Sequence, residues 1–117
     1  MIRQKYFAVS SVIVCAALAL GLTAAPKPGA GKADAAKGKS VVDDNCAVCH
    51  SVDTDEKKVG PSLKGLFKRK TLANGKPVND ANVLAQVNAG SSNGMPAYAE
   101  VLSADDKANL LAYLHTL

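Results

Sequence analysis

Cys46-Ala47-Val48-Cys49-His50 forms a C-x-x-C-H box. Two cysteines three residues apart lie on one side of a helical turn, so both sulfur atoms can reach the two vinyl groups on one edge of a porphyrin. The histidine that follows can turn its imidazole beneath the ring and ligate iron. This pattern is the attachment signature of c-type haem. It predicts one haem, bound covalently through Cys46 and Cys49, with His50 as an axial iron ligand.

Three other chemistries use a C-x-x-C pair: thiol–disulfide exchange, zinc binding and a structural disulfide. A zinc site needs a second pair of ligands, and the chain offers only Cys15 and His115 besides the box. A thioredoxin-like site needs a surrounding βαβ pattern, which the sequence lacks. Haem attachment is therefore the favoured interpretation. A thiol–disulfide oxidoreductase stays open as a rival that would show free thiols and no Soret band.

The N-terminal 25 residues are typical of a targeting segment. A short basic head, residues 1–5, precedes an uncharged stretch at residues 6–25. Such a segment is either a cleaved secretory signal peptide or a membrane anchor long enough to span a bilayer as a helix. Cys15 lies within this apolar stretch, and we interpret it as one more apolar residue. In either case we expect an exported domain, periplasmic or anchored on the outer face of the cytoplasmic membrane, where unpaired thiols are uncommon.

A linker and one small domain follow the targeting segment. Residues 26–33 are rich in proline and glycine and predict the linker, so the globular domain spans residues 34–117. A domain of this size usually needs a staple, and a covalent haem at the centre of the core meets that need. Without Arg3 and Lys5, 12 basic and 10 acidic residues remain, so net charge says little about partners. Because no nucleic-acid-binding motif is visible, we expect no nucleic-acid partner.

The first predicted helix covers residues 34–45 and leads directly into the haem box. Asp34 can cap its N-terminus, and the alanines and lysines that follow favour a helix. Gly38 lies in its interior, where glycine costs about 1 kcal/mol relative to alanine. A glycine in such a position often marks the close approach of another backbone or ring.

Two further helices and one helical turn are predicted beyond the box. Residues 62–68 predict the turn, and residues 80–89 predict a helix that stops at Gly90. The last helix starts at Ser103, with Asp106 completing an approximate capping box. The apolar face of this last helix consists of Leu110, Leu111, Tyr113, Leu114 and Leu117. No stretch alternates at period two, so the predicted fold class is all-α.

Met95 is the favoured candidate for the second axial ligand of the iron. It is the only methionine outside the targeting segment, and Pro96 pushes it toward an extended backbone that can present a side chain from a loop. The alternative is that Met95 fills a gap in the core. His115 competes as a ligand, but it lies in the last turn of the final helix, where a histidine favourably meets the helix dipole. We interpret it as a surface residue, so the predicted metal ligands are His50 and Met95.

Three motifs, in this order, resemble those of class I cytochromes c, the small mono-haem electron carriers. They are the box at residues 46–50, Gly60-Pro61-Ser62-Leu63, and Gly94-Met95-Pro96-Ala97-Tyr98, and a final amphipathic helix follows them. The resemblance covers essentially all of residues 34–117. It implies a bundle of three to four helices wrapped around one covalent haem, with the first and last helices crossing.

The resemblance also implies roles for individual residues. In that family a glycine of the first helix packs against an aromatic residue of the last, and Gly38 and Tyr113 look like that pair. The carbonyl group of Pro61 would accept a hydrogen bond from the imidazole of His50, orienting it and raising its basicity. The chain departs from the family in having no tryptophan. What packs against the haem propionates is therefore not predicted.

The predicted function is one-electron transfer in an exported respiratory or related chain, with no enzymatic activity. Filled axial sites limit structural change at the iron, and a thioether ligand favours the ferrous state. The alternative is a haem peroxidase or gas-binding domain, which needs an open distal site. We expect a monomer that exchanges electrons with protein donors and acceptors. A basic segment could steer acidic partners, or be an ordinary solvated loop; it consists of Lys64, Lys68, Arg69, Lys70 and Lys76.

Overall fold

The computed structural model describes residues 31–117. The predicted targeting segment and most of the predicted linker lie outside the described residues. The secondary-structure elements are the helices α1 (Ala35–Asn45), α2 (Asp80–Ala89) and α3 (Ala104–Leu114), and one 3-10 turn (Leu66–Lys68). Within this part of the chain the only β pairing is an isolated antiparallel bridge between Thr71 and Pro77. The all-α prediction is confirmed.

The ends of the three helices follow from their capping residues. The side chain of Asp34 accepts hydrogen bonds from the first turn of α1, and Ser103 and Asp106 form a complete capping box at the start of α3. Helix α2 ends at Gly90, whose φ of 66° few other residues adopt. The predicted turn at residues 62–68 is shorter in the structure. It contains only the 3-10 turn, because Gly65 just before it takes a left-handed φ of 64°.

Helices α1 and α3 pack directly against each other, as the resemblance implies. Gly38 makes the close contact: a Cβ atom there would lie 2.6 Å from the carbonyl carbon of Asn109 and 2.8 Å from Cβ of Tyr113. The side chain of Asn109 also accepts a hydrogen bond from the backbone N–H of Asp34 at 2.8 Å. The helix-disfavouring glycine therefore permits the helix crossing.

The protein core is small. The apolar side chains that are buried among the described residues are Val42, Leu66, Val83, Leu102, Leu110 and Leu114. Val42 on α1 and Leu110 on α3 are the most completely buried, at 0% and 1% exposure. Twelve further apolar residues pack against this cluster and are only partly buried. Several of them line a large cavity, so the core is completed by whatever fills that cavity.

No helix within residues 31–117 has the length and apolar character that crossing a membrane requires.

Candidate haem site

An apolar cavity of about 610 Å³ lies beside the end of α1 and between α2, α3 and the connecting loops. Its lining includes the five predicted site residues, Cys46, Cys49, His50, Pro61 and Met95. Apolar side chains from every part of the domain complete the wall, among them Leu63, Leu66, Leu72, Val83, Val87, Leu110 and Leu114. Residues far apart in sequence thus meet at one cavity.

The haem box continues α1 as a tight turn. The N–H of Cys46 donates to the carbonyl of Val42 at 2.8 Å, and the N–H of His50 donates to the carbonyl of Cys46 at 2.9 Å. This turn places both cysteines on the cavity wall. Neither thiol is in a disulfide. Burial, with a smaller contribution from Cys49, raises the pKa of the Cys46 thiol to about 11. Since nucleophilic thiols have lowered pKa values, the site does not favour thiol–disulfide exchange.

The main chain of the Gly60–Pro61 segment holds the imidazole of His50. Nδ1 of His50 lies 2.7 Å from the carbonyl oxygen of Pro61. Because a carbonyl can only accept, Nδ1 carries the proton and Nε2 keeps its lone pair for a metal. The N–H of Gly60 also donates to the carbonyl of Cys49 at 2.8 Å. Two hydrogen bonds therefore fix this loop against the end of the box.

Gly60 provides the space for the imidazole, a role that the sequence interpretation missed. A Cβ atom at this position would lie 2.7 Å from Nδ1 and 2.9 Å from Nε2 of His50. The only sequence signal was the Gly60-Pro61 pair, which by itself indicates a turn. The imidazole ring thus rests on a main-chain surface that a side chain would fill.

Contacts at both ends hold the loop that carries Met95. The carbonyl of Met95 accepts a hydrogen bond from the N–H of Ser91 at 2.9 Å, next to the end of α2. Beyond Met95, the N–H of Tyr98 donates to the carbonyl of Val87 at 3.0 Å, and its hydroxyl donates to the carbonyl of Asn45 at 2.8 Å. The role of Tyr98 was not predicted. Through these contacts the loop is tied to α2 and to the residue before Cys46.

His115, the rival ligand, takes part in a different cluster. Its side chain is about half exposed, and Nε2 lies 2.7 Å from a carboxylate oxygen of Asp80. The imidazole also stacks on Phe67, with the ring centroids 3.6 Å apart. The residues that line the cavity do not include His115.

The donors and the cavity fit a covalent haem. Two thiols on one wall match the two vinyl groups of a porphyrin, an imidazole with a free Nε2 and a thioether are both ligands for haem iron, and the remaining wall is largely apolar. A macrocycle in this cavity would cover the side chains that the protein core leaves partly exposed.

Comparisons with known proteins agree with this arrangement. The sequence pattern of the cytochrome c family matches residues 35–117. The chain belongs to the cytochrome c family. A cytochrome c-553-like protein of Synechocystis is 34% identical over 86 residues, which are 74% of this chain and 71% of that protein. Cytochrome c6 of Diacronema lutheri is 35% identical over 81 residues, 69% of this chain and 93% of that protein.

A solved structure extends the similarity to the fold. The crystal structure of cytochrome c6 from the diatom Phaeodactylum tricornutum matches with a TM-score of 0.55 and 28% identity, covering 71% of this chain and 92% of that one. The prediction of a cytochrome c fold is therefore confirmed. This cytochrome c has one haem, bound covalently through Cys46 and Cys49, and it is an electron carrier that exchanges electrons with redox partners. Nothing in these comparisons supports the peroxidase alternative.

Proposed function

We propose that this cytochrome is a closed electron carrier, in which His50 and Met95 fill the two axial positions of the haem iron. The observation that carries this proposal is that both side chains line the same cavity as the two attachment cysteines. The bound haem supplies one-electron redox chemistry at iron. Pro61 holds the imidazole of His50 in the tautomer that leaves Nε2 available.

The role of the protein in this proposal is to position the iron ligands and to exclude substrates and water, not to catalyse a reaction. With both axial positions filled, no position at the iron is open to a substrate, so we infer that the protein has no enzymatic activity. A histidine–methionine pair gives a higher potential than two histidines do, because the thioether favours the ferrous state. The largely apolar lining would keep water from a bound iron, and the backbone hydrogen bonds of the Met95 loop would limit rearrangement between the two oxidation states.

The N-terminal segment of the sequence supports an exported location. We infer that the domain is exported and works in the periplasm or on the outer face of the cytoplasmic membrane, with residues 6–25 either cleaved or retained as an anchor. There it exchanges electrons as a monomer with protein donors and acceptors of a respiratory or related chain.

Absorption spectroscopy of the matured protein tests the axial ligands. The ferric wild type should show the weak long-wavelength methionine–iron band, and the ferrous form should not bind CO. Met95→Ala should lose that band and bind CO readily. His115→Ala removes the other candidate ligand and should behave as the wild type. CO binding by the wild type, or loss of the band in His115→Ala alone, would overturn the proposal.

A further inference from the structure

Two side-chain amides connect a surface turn to the sulfur atom of Met95. Asn74 lies in the turn at residues 72–76, where the N–H of Leu72 donates to the carbonyl of Lys76 at 2.8 Å. Its Nδ2 donates to Oε1 of Gln86 on α2 at 2.7 Å. Nε2 of Gln86 donates to the carbonyl of Gly90 at 2.7 Å and lies 4.0 Å from Sδ of Met95. Asn74, Gln86 and Met95 all line the haem cavity.

Backbone groups at both ends fix the direction of this chain of amides. The backbone N–H of Lys76 donates to Oδ1 of Asn74 at 3.0 Å, and because an N–H can only donate, Nδ2 must face Gln86. Gln86 then presents Oε1 to Asn74 and its NH₂ group to the other side. There the carbonyl of Gly90 can only accept, so it requires the same orientation. One hydrogen of the NH₂ group is left for the thioether of Met95.

We propose that Asn74 is a positioning residue, which keeps the NH₂ group of Gln86 directed at the sulfur atom of Met95 and thereby raises the reduction potential. This inference rests on the proposed function, since it takes Met95 as an iron ligand. An N–H dipole pointing at the sulfur draws electron density from it, which weakens its donation to ferric iron more than to ferrous iron. If the amide were turned over, Oε1 would face both the sulfur and the carbonyl of Gly90, and the effect would reverse.

The decisive substitution is Asn74→Asp in the haem-loaded protein. The carboxylate keeps an acceptor for the N–H of Lys76 but offers Gln86 only acceptor oxygens. It then competes with the carbonyl of Gly90 for the NH₂ group of Gln86, and because a charged acceptor binds an N–H more strongly than a neutral one, we expect the amide to turn toward the substituted side chain. We expect the ferrous-to-ferric ratio at a fixed applied potential to fall by about tenfold, which is about 59 mV for a one-electron couple. The methionine–iron band should shift but persist.

A double-mutant cycle separates this effect from that of the added charge. Gln86→Leu removes the amide, so Asn74→Asp in that background should lower the potential only by its Coulombic part. Asn93→Asp is the matched charge control, because Asn93 also lines the cavity and its side chain makes no hydrogen bond within residues 31–117. Asn93→Asp should therefore give the smaller shift as well. Equal shifts for Asn74→Asp with and without Gln86 would overturn the inference.

CO binding distinguishes this inference from the proposed function. If the wild type binds CO and lacks the methionine–iron band, the axial assignment of Met95 fails, and the inference fails with it. A second outcome is that the wild type excludes CO while Asn74→Asp binds it. Asn74 would then be needed to keep Met95 on the iron rather than to orient Gln86, which also overturns the inference. Should Asn74→Asp fail to mature, the neutral Asn74→Ala gives the same test. It should lower the potential when Gln86 is present, and not at all once Gln86 is leucine.

Discussion

The carbonyl oxygen of Pro61 lies 2.7 Å from Nδ1 of His50, so the hydrogen bond that orients the imidazole comes from the main chain. No side-chain truncation removes that acceptor. The neighbouring Gly60 leaves the space in which the ring rests, and it also bonds to the carbonyl of Cys49. The orientation of His50 should therefore be sensitive to added volume at Gly60.

Gly60→Ala should destabilise the protein and disturb its iron ligation. The added Cβ would lie 2.7 Å from Nδ1 of His50, so either the ring or the loop must move. Overpacking of this kind costs about 1–3 kcal/mol. Guanidinium unfolding of the haem-loaded protein measures the loss, and the ferric spectrum reports any displacement of His50. Gly31→Ala is the control, because a Cβ atom at that position would meet no other atom within 4 Å; equal stability of the two variants would contradict the prediction.

Gly38→Ala should also be destabilising, although alanine is the better helix former. Alanine gains about 1 kcal/mol of helix propensity. The new Cβ would, however, lie 2.6 Å from the carbonyl carbon of Asn109, and rigid backbone gives way less easily than a side chain. We expect a net loss of at least about 1 kcal/mol in the free energy of unfolding. Ser40→Ala, at an exposed position of the same helix, should be neutral or slightly stabilising; a stabilised Gly38→Ala would show that α1 and α3 can separate freely.

The helices could be predicted from the sequence because their ends are encoded locally. Asp34, Gly90 and the Ser103–Asp106 box each start or end a helix through contacts with residues close by in sequence. All three do so as predicted. Gly38 was recognised as a point of close approach, and the family resemblance supplied Tyr113 as its partner. The contact with the Asn109 main chain could not be predicted, because it depends on where the two helices cross.

The parts of the site that the sequence did not reveal are contacts between distant segments. From its sequence neighbours alone, Gly60 indicates a turn, Gln86 a helix position and Tyr98 an aromatic residue of the core. Their roles exist only because the fold brings them to His50, Met95 and Asn45. A residue type and its neighbours in sequence do not specify such a partner. The attachment box was readable because its spacing alone satisfies the geometry of the porphyrin.

Tyr98→Phe should loosen the Met95 loop. It removes the hydroxyl that donates to the carbonyl of Asn45 at 2.8 Å and leaves that acceptor without its partner. A hydrogen bond of this kind contributes about 0.5–1.5 kcal/mol, which unfolding by guanidinium can resolve. Tyr113→Phe is the matched control, because its hydroxyl makes no hydrogen bond within residues 31–117. If the two variants were equally stable, the hydrogen bond between Tyr98 and Asn45 would contribute nothing to the free energy of unfolding.

Asp106→Asn should make the free energy of unfolding less dependent on pH in the acid range. The side-chain hydrogen bond with Ser103, followed by that from its backbone N–H, lowers the pKa of the Asp106 carboxyl from its usual 3.8. A group whose pKa is depressed by folding stabilises the protein above its unfolded pKa, and this contribution is lost as the pH falls through the folded pKa. The wild type should therefore be more stable than Asp106→Asn at neutral pH, and the difference should shrink as the pH falls below 3.8.

The control for this measurement is Asp105→Asn. Asp105 shares the first turn of α3 but is not the capping-box partner of Ser103. Denaturant unfolding of both variants should show a smaller and less pH-dependent loss for Asp105→Asn. The same pH dependence in both would mean that the helix dipole, and not the capping box, is responsible.

The basic segment should steer acidic redox partners through Lys70 and Lys76. Lys64 pairs with Asp55 at 3.1 Å, and Lys68 donates to the carbonyl of Leu117 at 3.1 Å. Lys70 and Lys76 are exposed, and their ammonium groups make no hydrogen bond or ion pair within residues 31–117. Their charge is therefore available to a partner.

When charges steer association, the association rate falls as salt is added. The reason is that the screening length, the distance over which exposed charges interact, is only about 10 Å at 0.1 M ionic strength. Electron transfer to an acidic partner protein, followed by stopped-flow absorbance, should slow as ionic strength rises. Lys70→Gln combined with Lys76→Gln should lower the rate at low salt and flatten this dependence. Lys39→Gln is the control, since Lys39 is already paired with Asp43 at 2.6 Å on α1. A flat salt dependence in the wild type, or an equal effect of Lys39→Gln, would show that these lysines form an ordinary solvated loop.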